Sequence, residues 1–326
     1  MKFALALLIT AFAALTVWGQ APTLHIVTEV PGLPSDLYYG TTKVKPLRVR
    51  PGTNNVIRIK NNDLSSLVND NDFFVNQQYV DFLSRFPDQS GFDYWVSQMT
   101  TCNGDVECIR GRRYNTSGAF FLSIEFQETG FLVYRFYKAA FGNLPNNAPV
   151  PVKYEELMPD TRTIGQGVVV NQGNWQAILE ANKQAFAAAF VARPRFAADY
   201  PTSMTPTTFV NQLFARAGVP ASGTDYNAAI AEFGGAGNTS DIAARGRAVR
   251  RVAENATLGN QEKNKAFVLM QYFGYLRRNP YDPPESTLDY SGYNFWLGKL
   301  NQFGGDFNAA EMVKAFIVSG EYEDRF

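Results

Sequence analysis

The sequence predicts a mostly α-helical fold, organised as an array of about four small helical repeat units behind a short N-terminal β segment. Apolar residues recur at helical spacing from residue 74 onward. One ordered set, an aromatic residue followed by Tyr, Leu, Arg, Pro, Gly and Trp, occurs in residues 73–99 and returns in residues 267–296. The 326 residues are 45% hydrophobic and 18% charged, which is a globular composition.

The first 21 residues have the features of a secretory signal peptide. Lys2 supplies the charged start, residues 3–18 are apolar and uncharged, and Gly19 and Ala21 offer small residues for cleavage. A retained membrane anchor is the alternative, but the run is short for a spanning helix and lacks a basic stop. We therefore expect an exported protein, secreted or associated with the cell envelope.

Residues 22–62 are predicted to form the short β segment. Apolar and polar residues alternate over 43–50 and again over 55–60, with Pro51-Gly52 between them. This pattern is typical of a β-hairpin with one buried face. Because so few strands cannot form an independent domain, we expect the segment to pack on the helical body.

The first helix is predicted from apolar residues at positions i, i+4, i+7, i+8 and i+11, which are Val75, Tyr79, Phe82, Leu83 and Phe86. Pro87 ends it, since proline cannot continue a helix. Gly91 lies in the following turn and Trp95 on the next helix. Asp70 and Asp72, before the first helix, are interpreted as helix caps rather than calcium ligands.

Further units are found by residue offset. From the opening residue, the Tyr lies at +5, the Leu at +9, the Arg at +11 and the Pro at +13. The openings Phe74, Leu132, Phe209 and Phe267 define units near 73–131, 132–200, 207–258 and 265–326, which make up the helical region 73–326. The last unit repeats the first with Tyr272, Arg278, Pro280, Gly292 and Trp296. The second unit has Asn143 in place of the Arg, and the third is degraded.

Both outer units close on a Ser, a gap, a Glu and an aromatic residue, at 123–126 and 319–322. Since the Arg and the Glu keep their places in both units, we predict the ion pairs Arg85–Glu125 and Arg278–Glu321. Paired carboxylates of a glycosidase are the alternative role for these acids. Their recurrence argues against it, because catalytic acids usually occur once per site.

Trp95, Trp175 and Trp296 each follow a Gly-containing turn in their own units. A tryptophan that recurs at one place in successive units favours a core position, with a ligand platform as the alternative. The two cysteines, Cys102 and Cys108, flank a short polar loop. In an exported chain this spacing predicts a local disulfide rather than a metal site.

The remaining composition argues against several classes of function. His25 is the single histidine, which excludes a histidine-dependent triad or a His-rich metal site in the body. No Gly-rich segment completes a phosphate or dinucleotide motif, so no cofactor is expected. The formal net charge is zero, which argues against a nucleic-acid partner. The basic stretch Arg245 to Arg251 is interpreted as a solvated helix face, and no membrane segment is expected beyond the signal.

The first unit resembles the domain of unknown function 4214 family. The residues that carry this resemblance are Phe74, Val75, Gln77, Tyr79, Leu83, Arg85, Pro87, Asp88, Ser90, Gly91, Trp95, Ser123, Glu125 and Phe126. The last unit departs from the pattern at Tyr281, which follows Pro280 where the first unit has Asp88. The resemblance implies a helical module of exported bacterial proteins and implies no reaction.

We therefore expect an exported, non-catalytic interaction module, a surface or envelope scaffold whose partner is a protein or a glycan. A protein scaffold predicts a flat apolar patch outside the core. A glycan-binding module predicts exposed aromatic rings beside Asn, Gln and Asp in a groove. A carbohydrate-active hydrolase with paired carboxylates, the second alternative, predicts a deep pocket with perturbed acids.

Overall fold

The computed structural model describes the backbone of residues 24–27, 36–39 and 42–44 and the whole of residues 70–325. The N-terminal strands form a three-stranded antiparallel sheet in sequence order, and they are β1 (Leu24–Val27), β2 (Asp36–Tyr39) and β3 (Thr42–Val44). Leu24 is paired with Tyr39 and Leu37 with Val44. The predicted signal peptide and nearly all of the predicted 43–60 hairpin lie outside the described residues.

The rest of the described chain is helical and is divided into four successive groups. Group 1 consists of α1 (Asn71–Leu83), α2 (Gln89–Thr100), α3 (Val106–Leu122) and α4 (Ile124–Glu128). Group 2 consists of α5 (Gly130–Phe141), α6 (Tyr154–Gly165), α7 (Trp175–Val191) and α8 (Pro194–Asp199). Group 3 consists of α9 (Pro206–Ala217), α10 (Gly223–Ala231) and α11 (Ile242–Ala253). Group 4 consists of α12 (Ala256–Gln271), its π-helical continuation Tyr272–Leu276, α13 (Ser291–Gln302), α14 (Met312–Ile317) and α15 (Gly320–Glu323).

Local capping explains where the helices of group 1 begin. Asp70 accepts hydrogen bonds from the amides of residues 72 and 73 and caps α1, whereas Asp72 lies buried in the first turn. Asp88 caps α2 by accepting from the Gly91 amide at 2.9 Å. Among the described residues, no group of His, Cys, Asp or Glu side chains is arranged to hold a metal ion.

A helix break with the same chemistry recurs in three groups. The Ser123 hydroxyl accepts from the Phe126 amide between α3 and α4, and Ser319 accepts from Tyr322 between α14 and α15. The Asn255 side chain accepts from the Leu258 amide between α11 and α12. At each break, one helix ends and the Ser or Asn side chain caps the helix that follows directly.

Corresponding helices make contact between groups 1 and 4 and between groups 2 and 3, while α5 also contacts α4 of group 1 and α12 of group 4. In groups 1 and 4, α1 contacts the π-helical turn after α12, and α3 contacts α14. In groups 2 and 3, α5 contacts α9 and α7 contacts α11. In both pairs, the first helices contact each other and the third helices contact each other.

The outer pair meets through aromatic residues. The rings of Phe82 and Tyr275 lie 5.3 Å apart edge to face, and those of Phe121 and Phe267 lie 4.4 Å apart. The buried carboxylate of Asp81 accepts from the guanidinium groups of Arg277 and Arg325, both from group 4. The beginning and the end of the helical region therefore share one core.

None of the helices in the described part of the chain is long and apolar enough to cross a bilayer.

Candidate binding groove in helix group 1

A groove of about 390 Å³ lies between the end of α1, the side of α2 and the helix break at Ser123. Its outer wall is supplied by Val170–Gln172, from the loop that joins α6 to α7. The groove therefore combines residues of group 1 with a loop of group 2. Trp95, Arg85 and Glu125, singled out from the sequence, all line it.

Two aromatic rings form one side of the groove. Tyr94 is 55% exposed, and its ring meets that of Trp95 edge to face at 5.0 Å. Trp95 packs on Phe120 at 5.6 Å, and Phe120 in turn contacts Tyr79 at 4.7 Å. Because buried rings support Trp95 from beneath, it presents a fixed apolar surface to the groove.

Polar groups also line the groove. The Asp88 carboxylate accepts hydrogen bonds from the Ser90 hydroxyl at 2.7 Å and from the Gln172 side-chain amide at 3.0 Å. Burial raises the pKa of Asp88, but the hydrogen bonds from Ser90 and from the Gly91 amide outweigh it, so this pKa lies below its ordinary value. The carboxylate is therefore charged at neutral pH.

The floor of the groove contains the predicted ion pair. Arg85 Nε and Nη2 donate to the two carboxylate oxygens of Glu125 at 2.6 and 2.7 Å. Burial lowers the pKa of Arg85, and the bonds to Glu125 outweigh this and raise it. The guanidinium also lies 5.0 Å from the centre of the Tyr79 ring. Burial raises the pKa of Tyr79 to about 12, so the phenol is neutral.

A close approach of α1 to α2 requires glycine at position 91. A Cβ atom placed there would lie 2.2 Å from the Tyr79 hydroxyl oxygen and 3.1 Å from a carboxylate oxygen of Asp88. The same requirement holds in group 4, where a Cβ atom on Gly292 would lie 2.8 Å from the Tyr272 hydroxyl oxygen. The two glycines thus have the same steric role, although they lie in the first turns of α2 and α13 and not in the preceding turns where the sequence placed them.

The second predicted ion pair is also present. Arg278 Nε donates to Glu321 at 2.6 Å and Nη2 donates to the same carboxylate at 3.1 Å. Pro87 and Pro280 both follow the end of a first helix. Cys102 and Cys108 are joined by a disulfide, with a Cα–Cα distance of 5.7 Å.

The three tryptophans do not occupy the core positions that the sequence predicted. All three are half-buried and pack against the core from its edge, rather than lying within it. Trp95 and Trp296 lie within the second helices of their groups, α2 and α13, whereas Trp175 is the first residue of a third helix, α7. Trp175 is therefore not equivalent to the other two, because the Gly-containing turn before it leads into a different helix.

A second cavity of about 420 Å³ adjoins the groove and shares Leu83 and Arg85 with it. Its other residues come mainly from the end of α6 and the loop Gly165–Val169. The contribution of residues 165–172 to the walls of the two cavities was not predicted from the sequence, because these residues belong to no repeated pattern. The one available signal was their richness in Gly, Asn and Gln, which is typical of an exposed loop.

Comparisons with known proteins agree with the sequence resemblance for one part of the chain. The family model described as Domain of unknown function (DUF4214) matches residues 61–129. The match spans all of group 1 and therefore every groove residue except those of the loop Val170–Gln172. Searches of curated proteins and of solved structures gave no significant match.

Proposed function

We propose that this chain, with its DUF4214 segment at residues 61–129, is an exported, non-catalytic interaction module that binds a glycan in the group 1 groove. One observation supports the proposal: Tyr94 and Trp95 line the same groove as Asp88, Ser90 and Gln172. Sugar rings have apolar C–H faces and polar hydroxyl edges. Aromatic rings together with a few fixed polar groups match both features.

The polar side suits recognition of hydroxyl groups. The charged Asp88 carboxylate is an acceptor for sugar hydroxyls. The Gln172 side chain donates to Asp88 through its nitrogen, which fixes the orientation of its carbonyl oxygen. Because these groups are held by hydrogen bonds before a ligand arrives, little side-chain entropy is lost on binding.

The acids of the groove favour binding over glycoside hydrolysis. A glycosidase needs one carboxyl group with a raised pKa as its general acid. In the groove, the pKa of Asp88 is lowered. Glu125 has both oxygens engaged by Arg85. The arrangement therefore suits holding a ligand rather than transferring a proton to it.

The helical region is proposed to consist of four copies of one unit, each a set of three packed helices. The recurring helix breaks, the two Arg–Glu pairs and the two close Tyr–Gly contacts support this. The contacts of α1 with the π-helical turn after α12, of α3 with α14, of α5 with α9 and of α7 with α11 each join corresponding helices of two groups. We propose that the copies form two pairs, outer and inner, rather than a linear stack.

The proposal that the chain is exported is supported by the N-terminal sequence and by the disulfide. A lysine followed by sixteen uncharged, mainly apolar residues is typical of a signal peptide, and disulfides persist in oxidising compartments. The proposed location is outside the cell or at the envelope of a bacterium, where glycans are abundant.

A protein partner is the second candidate function. Leu122 and Ile124, which flank the groove at the helix break, are 50% and 55% exposed. With Tyr94 they form an apolar margin of the kind found at protein interfaces. In this case Trp95 would act as a contact in a flat interface, and free sugars would not compete.

The test is retention of the chain without its signal peptide on insoluble cellulose, chitin and peptidoglycan sacculi. We expect retention on one of them and release by soluble fragments of the same polymer. Trp95→Ala should weaken retention at least about tenfold, as for loss of a central aromatic anchor. Trp175→Ala is the matched control, because Trp175 is also half-buried but lies outside the groove.

The outcomes separate the candidates. Equal retention of Trp95→Ala and the unchanged chain would refute the groove as the binding site. Retention on protein-containing envelope, with none on the purified polysaccharides, would replace the glycan with a protein partner.

A further inference from the structure

We propose that helix group 4 carries a second binding surface for the same glycan, centred on Trp296. This inference rests on the proposed function of the group 1 groove. It adds a site that makes the chain bivalent. Group 4 exposes two large apolar side chains, Phe295 and Val318, to solvent.

The aromatic framework of the groove is repeated. Phe295 is 60% exposed, and its ring meets that of Trp296 at 5.0 Å and 77°. The corresponding values for Tyr94 and Trp95 are 5.0 Å and 75°. Trp296 packs on Phe316 at 5.9 Å, as Trp95 packs on its own supporting ring at 5.6 Å.

Polar groups again lie beside the rings. Glu285 is within 4.0 Å of the Arg278 guanidinium, and its carboxylate also faces Gly292. It therefore occupies the place beside the turn glycine that Asp88 occupies in group 1. The Lys299 ammonium lies 5.5 Å from the centre of the Trp296 ring and adds a hydrogen-bond donor. The surface thus offers an apolar face, an acceptor and a donor.

Exposure of large apolar side chains follows the same pattern. Val318, directly before the Ser319 cap, is 51% exposed, and Leu122, directly before the Ser123 cap, is 50% exposed. At this position group 2 has Ala192 and group 3 has Glu254. Single exposed apolar residues are ordinary, but exposed pairs at matching places in the two outer groups indicate a shared contact surface.

The experiment is isothermal titration calorimetry with a soluble fragment of the polymer that retains the chain. The probe is cellohexaose for cellulose, chitohexaose for chitin or the soluble enzymatic digest for sacculi. We expect two fragments bound per chain. Trp296→Ala and Trp95→Ala should each leave one, and the double variant should bind at least about tenfold more weakly. Phe295→Ser is a second variant of the group 4 surface that cannot unfold the core, because the ring is mostly exposed.

The failures are distinguishable. One fragment per chain, lost in Trp95→Ala and unchanged in both Trp296→Ala and Phe295→Ser, would overturn the second surface and leave the group 1 groove intact. Binding that survives Trp95→Ala unchanged in amount and affinity would overturn the proposed function. If the chain is retained on none of the three polymers, both the proposed function and the second surface are overturned.

Discussion

Replacing Glu125 with alanine should destabilise the fold by about 3 kcal/mol. Arg85 would lose two hydrogen bonds of 2.6 and 2.7 Å and keep one to the Phe86 carbonyl at 2.9 Å. Removing one partner of a buried pair costs roughly 3–5 kcal/mol, because the other charge stays buried. The lower end applies here, since the Arg85 side chain is 18% exposed and Asp88 remains 3.6 Å away.

Group 4 provides an internal comparison. Glu321 is 28% exposed, against 6% for Glu125. Arg278 also donates to three backbone carbonyls and has Glu285 within 4.0 Å. Glu321→Ala should therefore cost only about 1–2 kcal/mol. Glu107→Ala removes an exposed pair with Arg110 and should leave stability unchanged.

The assay is thermal unfolding followed by circular dichroism, with urea unfolding for the free energies. For a chain of this size, a loss of 3 kcal/mol lowers Tm by roughly 4–6 °C. The expected order of destabilisation is Glu125→Ala, then Glu321→Ala, then Glu107→Ala. If Glu125→Ala melted within about a degree of the unchanged chain, the ion pair would not stabilise the fold and the reasoning would fail.

Two further predictions concern helix contacts. Gly91→Ala should destabilise by about 1–3 kcal/mol in urea unfolding, because its Cβ would lie 2.2 Å from the Tyr79 hydroxyl oxygen. Tyr79→Phe in the same chain should restore most of the loss, whereas Gly111→Ala, with no atom within 4 Å, should stabilise by about 0.5–1 kcal/mol. The bidentate bond from Arg250 lowers the pKa of Glu180 from 4.5 to about 2. Since the folded-state pKa is the lower one, the pair's contribution, below about 1 kcal/mol after screening, is present above pH 4.5 and lost as the pH falls towards 2. Glu180→Gln should remove this part of the acid sensitivity, and an unchanged pH dependence of Tm would contradict it.

Features that depend on residues near in sequence or repeated in it could be predicted. The two Arg–Glu pairs were predicted because both members keep their places in both outer units. The disulfide was predicted from the short loop between the two cysteines, on the expectation that the chain is exported. For the ion pairs and the disulfide, a local rule and the observed geometry point in the same direction. The end of the first helix was predicted only approximately: α1 ends at Leu83, where Ser84 adopts a left-handed conformation with φ 55°, so Phe86 is not helical and Pro87 lies beyond the helix.

Features that depend on contacts between distant segments could not be predicted. The groove is closed by Gln172, about eighty residues from Asp88, and no periodic pattern links the two. The half-buried tryptophans pack against the edge of the core, and the sequence does not reveal which groups pack on one another. Local rules specify each helix, whereas the packing of separate groups decides which of their edges remain open.

Arg245 shows an error that helical periodicity could have prevented. The basic stretch was expected to form a solvated face, but Arg245 is 1% exposed and donates to Thr239. It lies four and seven residues before the buried Val249 and Val252, which places it on the apolar face of α11. Three other arginines of the stretch, at 247, 250 and 251, form ion pairs with Glu180 or Glu232.

The second group separates the structural role of the motif from its proposed binding role. Its offset pattern has Asn143 where the outer groups have arginine, yet an ion pair is present. Arg193, at the helix break itself, binds both oxygens of Asp160 at 2.7 Å, and Tyr137 donates to the same carboxylate. In group 2, as in the outer groups, an ion pair therefore connects the helix break to the rest of the group. Here the arginine comes from the break and the acid from α6.

If the motif served packing alone, we would expect group 2 to expose the same kinds of side chain as the outer groups. It has the ion pair, but the exposed residue before the break is the small Ala192 instead of a large apolar residue. The exposed rings and aliphatic side chains of groups 1 and 4 are therefore not explained by this corner, and ligand binding gives them a function.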